Sequence, residues 1–453
     1  MKARRLSEIA DAIHGRVVGE DVMVSSAVID SRIASAGSLF FAIEGDHVDG
    51  ADFVEDAMRR GSSASVVSRG EGAPGPSIVV ASTLEALTDL AAFDRRMSDA
   101  RVVGITGSSG KTSTKDLVAA VLRSGFEVQA SPGSYNNEIG LPLTLLGGGP
   151  ETEVIVCEMG SRGIGHIADL CRVASPDVGI VTNIGIAHME LFGSLENITD
   201  AKAELVEGLA KNSTAIISAD DPVVRTFGER TEARVLTYGR AADADVRADN
   251  LELSDRGFAH FELVHGGHRV GAELAVPGEH MVSNALAAVT AGIAFEVPLE
   301  EASAALRTAR ISSWRMETFV DPNGVVVVND AYNANPMSMA AALKTARWMA
   351  RGSRLVVVLG TMAELGAASL EEHERIGELA ARLGVERVIL VGREAEAIAV
   401  AAIREGVEPE NVALYEDPAQ ALDDVMRWAG SGDVVLFKAS RVVGLEKLAE
   451  AMR

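Results

Sequence analysis

A glycine-rich stretch in the second hundred residues could bind polyphosphate. It reads GITGSSGKTST from Gly104 to Thr114, directly after the apolar pair Val102–Val103. A strand, a turn and a helix start in this order bring backbone N–H groups to a helix N-terminus, where anions are stabilised. Lys111 adds a full positive charge, and Thr112 could place its hydroxyl on the magnesium ion that accompanies a nucleotide. The stretch therefore predicts a nucleoside triphosphate site.

The spacing of this loop differs from the common P-loop, G-x-x-x-x-G-K-[ST]. That pattern needs glycine at position 105, where the chain has Ile105, and the glycines lie instead at positions 104, 107 and 110. An ordinary glycine-rich turn with an exposed lysine is the alternative interpretation. The flanking strand and helix and the Gly-Lys-Thr-Ser run favour nucleotide binding, but they do not say which group accepts the γ-phosphate.

Two further predicted strands carry polar residues beyond their ends. EVIVCEMG places Glu158 at a strand end, and TNIGIAHME places His188 just beyond the next strand. The carboxyl ends of parallel strands meet at one edge of a sheet, where ligands collect. A carboxylate suits magnesium, and a neutral imidazole can join a phosphate-bound metal. Either residue alone could be an ordinary loop residue, but the triphosphate loop on the same edge favours a shared metal site.

Two other polar segments are ambiguous from the residues alone. Lys202 lies between Asp200 and Glu204 in ITDAKAELVEGL, which indicates an amphipathic helix with solvated charges. Asn136 and Asn137 in YNNEIGLP could form a cap or loop, or contact a substrate.

The densest polar cluster follows an apolar strand near residue 329. Four hydrogen-bonding side chains stand close together there: Asp330, Tyr332, Asn333 and Asn335. Pro336 then suits the first turn of a helix. KASR places the cations Lys438 and Arg441 after another strand. A plain turn needs fewer such groups, so we predict a ligand contact here.

The chain of 453 residues is long enough for about three domains. Residues 1–98 mix short strands (SLFFAI, PSIVV) with helices (DFVEDAMRRG, TLEALTDLAAFDRRM), and SRGEGAPGPS reads as a surface loop. Residues 99–310 alternate helices with the apolar strands RVVGIT, EVIVCEMG, DVGIVTNIG and TAIISADD, and HMVSNALAAVTAGIAF reads as a long buried helix. Residues 311–453 follow the turn DPNG with the strands VVVVND, LVVVLG, RVILVG and DVVLFK. An α/β fold with a parallel central sheet is expected.

Composition disfavours several classes of partner. The formal net charge is −23 without a long block of lysine or arginine, which disfavours nucleic acids and anionic membranes. The two cysteines, Cys157 and Cys171, form no C-x-x-C pair, as expected in a reducing cytosol. The N-terminal segment has apolar residues at helical spacing and no run of signal-peptide length, and no run approaches the ~20 residues of a membrane span. We expect a soluble cytoplasmic protein.

Several strings occur in a familiar order along the chain: GSSGKTST, NNEIGLPLT, EMGSRGIGHI, TNIGIAHMELFGS, AKAEL, SNALAA, DAYNANPMSM and KASR. Together they resemble the Mur ligases of peptidoglycan synthesis, across all three predicted domains. NNEIGLP and YNANP resemble the branch that adds D-alanyl-D-alanine. The usual family loop, G-T/S-x-G-K-T, accounts for the irregular spacing. The resemblance implies a small α/β N-terminal domain, a central P-loop ATPase domain and a C-terminal Rossmann-like α/β domain.

The resemblance also implies roles for particular residues. ATP would be bound by Gly107, Ser108, Ser109, Gly110, Lys111, Thr112, Ser113, Asn284, Arg315 and Asp330. Metal ions would be held by Thr112, Glu158, His188 and a carbamylated Lys202, and catalysis would depend on Lys111, Glu158, His188 and Lys202. Substrates would be bound by Asp30, Ser31, Arg32, Asn136, Asn137, Tyr332, Asn333, Asn335, Lys438 and Arg441. Within these sets, Asn284 would contact adenine, and Asp30–Arg32 would lie in the uridine-nucleotide region.

The reaction that the resemblance implies is an amide ligation that uses ATP and Mg²⁺. ATP would phosphorylate the terminal carboxylate of UDP-N-acetylmuramoyl-tripeptide, and the amine of D-alanyl-D-alanine would attack the acyl phosphate. A monomer is expected. The chain departs from the family strings at Ala439, where glycine is usual, and at Met281, where asparagine is usual.

Two alternatives remain open from the sequence. A sister amide ligase, either another Mur enzyme or a folylpolyglutamate-type synthetase, would share the central domain and accept a different amine. A nucleotide-dependent switch would make no covalent product.

Overall fold

The computed structural model describes residues 1–45, 48–68 and 74–453. Its strands form four sheets, and no sheet in these ranges draws strands from more than one of the predicted domains. The boundaries after residues 98 and 310 stay predictions.

The N-terminal region is a small α/β unit. Its strands are β1 (Arg4–Arg5), β2 (Arg16–Val18), β3 (Met23–Val24), β4 (Ser26–Val28), β5 (Ser38–Phe41), β6 (Ala64–Val67) and β7 (Ser77–Val79), and its helices are α1 (Leu6–Ala12), α2 (Val54–Arg59) and α3 (Thr83–Arg96). The five-stranded sheet has the order β2-β7-β6-β5-β4, with only the β2–β7 pair antiparallel. The predicted strands and helices are confirmed. Half of the predicted loop SRGEGAPGPS, residues 69–73, lies outside the described residues.

The central region contains the largest sheet. Its strands are β8 (Arg101–Thr106), β9 (Val128–Ala130), β10 (Val154–Glu158), β11 (Val178–Val181), β12 (Thr214–Ser218), β13 (Arg234–Gly239), β14 (Val246–Leu253), β15 (Phe258–His265) and β16 (His268–Pro277). Its helices are α4 (Lys111–Leu122), α5 (Gly140–Leu146), α6 (His166–Ala174), α7 (Met189–Phe192), α8 (Leu195–Glu207), α9 (His280–Ala294) and α10 (Leu299–Thr308). The four predicted apolar strands are β8, β10, β11 and β12, and the predicted buried helix is α9.

The central sheet has the order β16-β15-β14-β13-β12-β11-β8-β10-β9. Strands from β9 to β14 are parallel, and β14, β15 and β16 form an antiparallel arm at one edge. The arm escaped the sequence analysis because its strands alternate buried and exposed residues and form no apolar run. Gly266-Gly267, which turns β15 into β16 with positive φ at both residues, is the signal that could have found it.

The C-terminal region is a second α/β unit. Its strands are β17 (Glu317–Val320), β18 (Val326–Asn329), β19 (Leu355–Gly360), β20 (Arg387–Val391), β21 (Val412–Tyr415) and β22 (Val434–Lys438), and its helices are α11 (Pro336–Met349), α12 (Ser369–Arg382), α13 (Glu396–Arg404), α14 (Pro418–Trp428) and α15 (Glu446–Glu450). The order is β17-β18-β22-β19-β20-β21, and β17 pairs antiparallel with β18 around the DPNG turn. The four predicted strands are confirmed.

Across the described ranges, no helix combines the length and the apolar character that crossing a bilayer requires.

Candidate active site

A cleft of about 1090 Å³ lies where the carboxyl ends of the central strands face those of the C-terminal sheet. Most of the predicted site residues line it: Ser108, Ser109, Gly110, Lys111, Thr112, Ser113, Asn136, Asn137, Glu158, His188, Lys202, Asn284, Arg315, Asp330, Tyr332, Asn333, Asn335, Lys438 and Arg441. The adjacency of β8, β10 and β11, and of β18, β22 and β19, explains the convergence. We call the two sides the central wall and the C-terminal wall.

The glycine-rich loop joins β8 to α4 at the bottom of the central wall. Gly107 and Gly110 have φ of 145° and 79°, which side chains other than glycine rarely adopt. A Cβ atom at Gly107 would also lie 1.9 Å from the hydroxyl oxygen of Thr182. The Nζ of Lys111 donates to the carbonyl of Gly107 over 2.7 Å, and Asn183 accepts from the loop N–H of Ser109 over 2.9 Å. The loop is thus held in one conformation beside the cleft.

A hydrogen-bonded chain of side chains starts at the first turn of α4. The hydroxyl of Thr112 donates to Glu158 over 2.6 Å, and Asn136 donates to the other oxygen of the same carboxylate over 2.8 Å. Glu158 is buried. Burial lowers the pKa of Lys111, and the carboxylate of Glu158 opposes that shift. The central wall therefore places a carboxylate, a hydroxyl and an ammonium group together.

Lys202 and His188 extend this wall. The residues around Lys202 indicated a solvated helix, whereas the structure buries its side chain, with Nζ donating to the hydroxyl of Ser161 over 2.7 Å. Burial, and next the charge of Lys111, lower the pKa of Lys202 to about 7. Burial also lowers the pKa of His188, and Lys111 acts in the same direction. Near neutral pH, Lys202 therefore has a substantial population of uncharged, nucleophilic amine.

Two cations organise the C-terminal wall. The Nζ of Lys438 lies 2.5 Å from Asp330 and donates to the carbonyl of Asn333 over 3.0 Å, so it holds the loop after β18 in place. Arg315 reaches across the cleft and donates to the hydroxyl of Thr112 over 2.7 Å, while its guanidinium lies 4.1 Å from the ring centroid of Tyr332. One of these cations fixes its own wall and the other joins the two walls.

Two residues of the YNANP string also touch the central wall. The hydroxyl of Tyr332 contacts the hydroxyl of Ser134. Asn335 caps α11 in a capping box with Ser338, and its amide nitrogen lies 3.5 Å from the carbonyl of Ser108. The C-terminal domain is therefore docked on the central domain.

Asn284 lies in α9 behind the glycine-rich loop. Its side-chain oxygen accepts from Thr114 over 3.2 Å, and its nitrogen lies 3.4 Å from the sulfur of Met281. The predicted adenine contact stays a prediction, and Met281, where the resemblance led us to expect asparagine, is buried beside Asn284. Ala439 is buried too, and its φ is not positive, so alanine is compatible with the turn after β22.

The predicted uridine-nucleotide residues lie outside the cleft lining. Asp30 caps a short 3-10 helix (Ser31–Ile33) and pairs with Arg32 at 2.7 Å, and Ser31 donates to Asp56 over 2.8 Å. Hydrogen bonds from the side chain and backbone of Arg32 lower the pKa of Asp30 to about 2. Their role in substrate binding stays a prediction.

Sequence reasoning missed two residues with a structural role at the cleft. Lys115 is buried and donates to the carbonyls of Ser131 and Gly133 over 2.7 and 3.0 Å, which fixes the loop that leads to Asn136. Its position four residues after Lys111 places both lysines on one face of α4, a signal that could have found it. Glu364 is the other, and it contacts His188 from the C-terminal wall.

Models of three Mur ligase domains match the chain. The Mur ligase family, catalytic domain matches residues 24–95, the Mur ligase middle domain matches residues 105–292, and the Mur ligase, glutamate ligase domain matches residues 314–441. The chain belongs to the Mur ligase family. In this Mur ligase the middle-domain match contains the glycine-rich loop, Glu158, His188 and Lys202.

Relatives match this Mur ligase over nearly its whole length. The UDP-N-acetylmuramoyl-tripeptide--D-alanyl-D-alanine ligase of Mycobacterium leprae is 37% identical over 98% of this chain and 94% of its own. The ligase of the same name from Bacillus subtilis is 34% identical over 99% and 98%. The crystal structure of MurF from Acinetobacter baumannii matches with a TM-score of 0.88 and 28% identity, covering 99% of this chain and 98% of that chain. MurF from Thermotoga maritima in complex with ADP matches with a TM-score of 0.82 and 29% identity, covering 95% and 97%. The expected α/β Mur ligase fold is confirmed.

Proposed function

We propose that this Mur ligase uses ATP to join D-alanyl-D-alanine to UDP-N-acetylmuramoyl-tripeptide in the synthesis of peptidoglycan precursors. The observation that carries this proposal is the match, over nearly the whole chain, to ligases of that name. The cleft supports it, because a phosphate-binding loop on one wall faces a cluster of hydrogen-bonding groups on the other.

The reaction has two steps. A carboxylate oxygen of the tripeptide attacks the γ-phosphorus of ATP, and the bond from that phosphorus to the bridging oxygen of ADP breaks. The dipeptide amine then attacks the acyl carbon, loses a proton, and phosphate leaves with the carboxylate oxygen. Lys111, the loop N–H groups and Arg315, which share the cleft, would neutralise the negative charge on the transferred phosphoryl group.

The central wall fits the magnesium ion that the family implies. The described part of the chain holds no group of three or more His, Cys, Asp or Glu side chains arranged around a metal. Mg²⁺ needs no such group, because it commonly takes one or two carboxylates and completes its shell with phosphate oxygens and water. Thr112 and the buried Glu158 would hold one ion, and His188 and a carbamylated Lys202 would hold a second. Bound Mg²⁺ would neutralise phosphate charge.

The remaining residues serve substrate binding in this proposal. Asp30, Ser31 and Arg32 would bind the uridine nucleotide, while Asn136 and Asn137 would face the peptide. Tyr332, Asn333, Asn335, Lys438 and Arg441 would form the dipeptide pocket on the C-terminal wall. Asn284 and Asp330 would complete the nucleotide site. A docked C-terminal domain would also keep water from the acyl phosphate. We further propose a monomer that acts in the cytosol.

An amine-competition assay tests the proposal. The protein would be given ATP, Mg²⁺ and UDP-N-acetylmuramoyl-tripeptide with D-alanyl-D-alanine, diaminopimelate or glutamate in parallel. We expect phosphate release and a new amide with the dipeptide alone. Ligation of one of the other amines would instead indicate a sister ligase, and no phosphate release with any amine would contradict the proposal.

A further inference from the structure

A glutamate of the C-terminal domain reaches into the central wall. Glu364 lies in the loop that follows β19, and its carboxylate contacts Nδ1 of His188. The backbone carbonyl of Glu364 also accepts from the N–H of Glu190 over 3.1 Å. Two contacts, one from the side chain and one from the backbone, therefore join the loop of Glu364 to the start of α7 across the cleft.

Both loops hold their residues in an uncommon backbone conformation. His188 has φ of 55° and Glu364 has φ of 63°, in the left-handed region that residues other than glycine adopt rarely. The loop of Glu364 is anchored within its own domain, because the N–H groups of the two preceding residues donate to His373 and Ser440 over 2.9 and 2.8 Å. The C-terminal domain thus presents this carboxylate from an anchored position.

The contact determines how the imidazole of His188 can be used. A carboxylate at Nδ1 accepts the Nδ1 proton and leaves Nε2 with its lone pair free. Histidine ligands of metals usually have such a carboxylate or carbonyl partner, which fixes the ring and makes the free nitrogen a better ligand. His188 is therefore arranged to ligate through Nε2.

We propose that Glu364 is a positioning residue for His188, which orients the imidazole toward the phosphate-bound metal only when the C-terminal domain is docked on the central domain. The inference rests on the proposed function because it requires a bound metal ion. It does not depend on which amine the enzyme uses. It makes metal binding and domain docking reciprocal: each favours the other, because a contact made only in the docked state stabilises the metal ligand.

Metal binding without turnover tests this inference. Mn²⁺ would be titrated into the full-length protein with saturating ADP, and binding followed by electron paramagnetic resonance. We expect Glu364→Ala to weaken the tightest His188-dependent binding by about tenfold, within the range for removing a partner of a metal-bound histidine. Glu364→Gln, whose amide oxygen can still accept from Nδ1, should lose less. Glutamine has nearly the same size as glutamate, so this variant should fold normally. Thermal melting of both variants would reveal any misfolding.

A control and a double mutant separate positioning from other roles. Glu371→Ala removes a carboxylate from the same domain that pairs with Arg375 on the surface, and it should leave Mn²⁺ affinity unchanged. In a His188→Ala background, Glu364→Ala should have no further effect, because the two residues act through one contact. In turnover, Glu364→Ala should lower kcat at subsaturating Mg²⁺ and leave KM for the dipeptide within about twofold.

Three results would overturn the inference. One is Mn²⁺ affinity of Glu364→Ala within twofold of the unmodified protein, and another is an undiminished effect of Glu364→Ala in the His188→Ala background. The third is an increase in KM for the dipeptide with unchanged metal affinity, which would make Glu364 a substrate contact. Ligation of a different amine would contradict the proposed function and leave the Mn²⁺ result for Glu364 intact.

Discussion

The polar side chains of the two walls differ in where their hydrogen-bond partners lie. On the central wall, side chains bond within their own domain: Lys111 to Gly107, Asn136 to Glu158, and Lys202 to Ser161. On the C-terminal wall, four side chains bond across the cleft: Arg315 to Thr112, Tyr332 to Ser134, Asn335 to Ser108, and Glu364 to His188. The phosphate site of the central wall is thus assembled by its own fold, whereas His188 and several side chains of the C-terminal wall gain partners by docking.

This difference suggests a division of labour. A preassembled phosphate site needs no rearrangement when ATP arrives, which is what electrostatic stabilisation of a transition state requires. A wall that is completed on docking can admit two substrates and then exclude water. Substitutions on the central wall should therefore impair the chemistry directly, and those on the C-terminal wall should act partly through docking.

Lys111→Ala gives the largest expected effect. The variant lacks the ammonium group that would meet the transferred phosphoryl group, so we expect kcat to fall by about 10³-fold, the upper range for one preorganised group. Phosphate release and pentapeptide formation would be measured, with circular dichroism to verify the fold. Lys211→Ala, an exposed lysine of the same domain, is the matched control. Near-normal turnover of Lys111→Ala would contradict the proposal that the central wall carries out the phosphoryl transfer.

Arg315→Ala should have the next largest effect, because it removes a charge and a contact between the walls. We expect kcat/KM to fall by about 10²-fold. The radius of gyration from small-angle scattering with ADP and substrate should also rise. A loss of activity with no change in scattering would mean that Arg315 only neutralises the charge of the phosphoryl group. It would contradict a role of this residue in docking the two domains.

The sequence predicted residues of both walls, but it did not predict the contacts between them. Glu158 and His188 could be placed at one edge because apolar runs mark the strands before them. Glu364 could not, since its partner lies 176 positions away and only the docking of two domains brings them together. The solvated helix that the charged neighbours of Lys202 indicated is wrong, because Glu204 is buried as the partner of the Ala168 N–H at the start of α6 and does not mark a solvated face.

The pH dependence of Lys202 should be of intermediate size. Its pKa is lowered to about 7, so the uncharged amine that reacts with carbon dioxide predominates above pH 7 and is lost as the pH falls through that value. At a fixed, subsaturating pressure of ¹³C-labelled carbon dioxide, the carbamate signal should be more than tenfold weaker at pH 6 than at pH 8, because the uncharged fraction falls by about tenfold and carbamate formation also releases a proton. Lys202→Met should show no such signal. An equal signal at both pH values would contradict the shift.

Tyr332→Phe should have the smallest effect. It removes only the hydroxyl that contacts Ser134 and keeps the ring beneath the Arg315 guanidinium. We expect a change in kcat/KM of about threefold to tenfold, which corresponds to one hydrogen bond. A larger loss of kcat/KM in steady-state assays would show that the hydroxyl contacts a substrate. Tyr332 would then belong to the substrate site of the C-terminal wall and not only to the contact between the walls.

The transfer of a labelled oxygen tests the central claim most directly. The tripeptide would carry ¹⁸O in its terminal carboxylate, and the phosphate released during ligation would be analysed by mass spectrometry. If the carboxylate is phosphorylated before the amine attacks, one phosphate that contains one ¹⁸O atom should be released for each pentapeptide formed. Phosphate without ¹⁸O, released in step with the pentapeptide, would contradict the account.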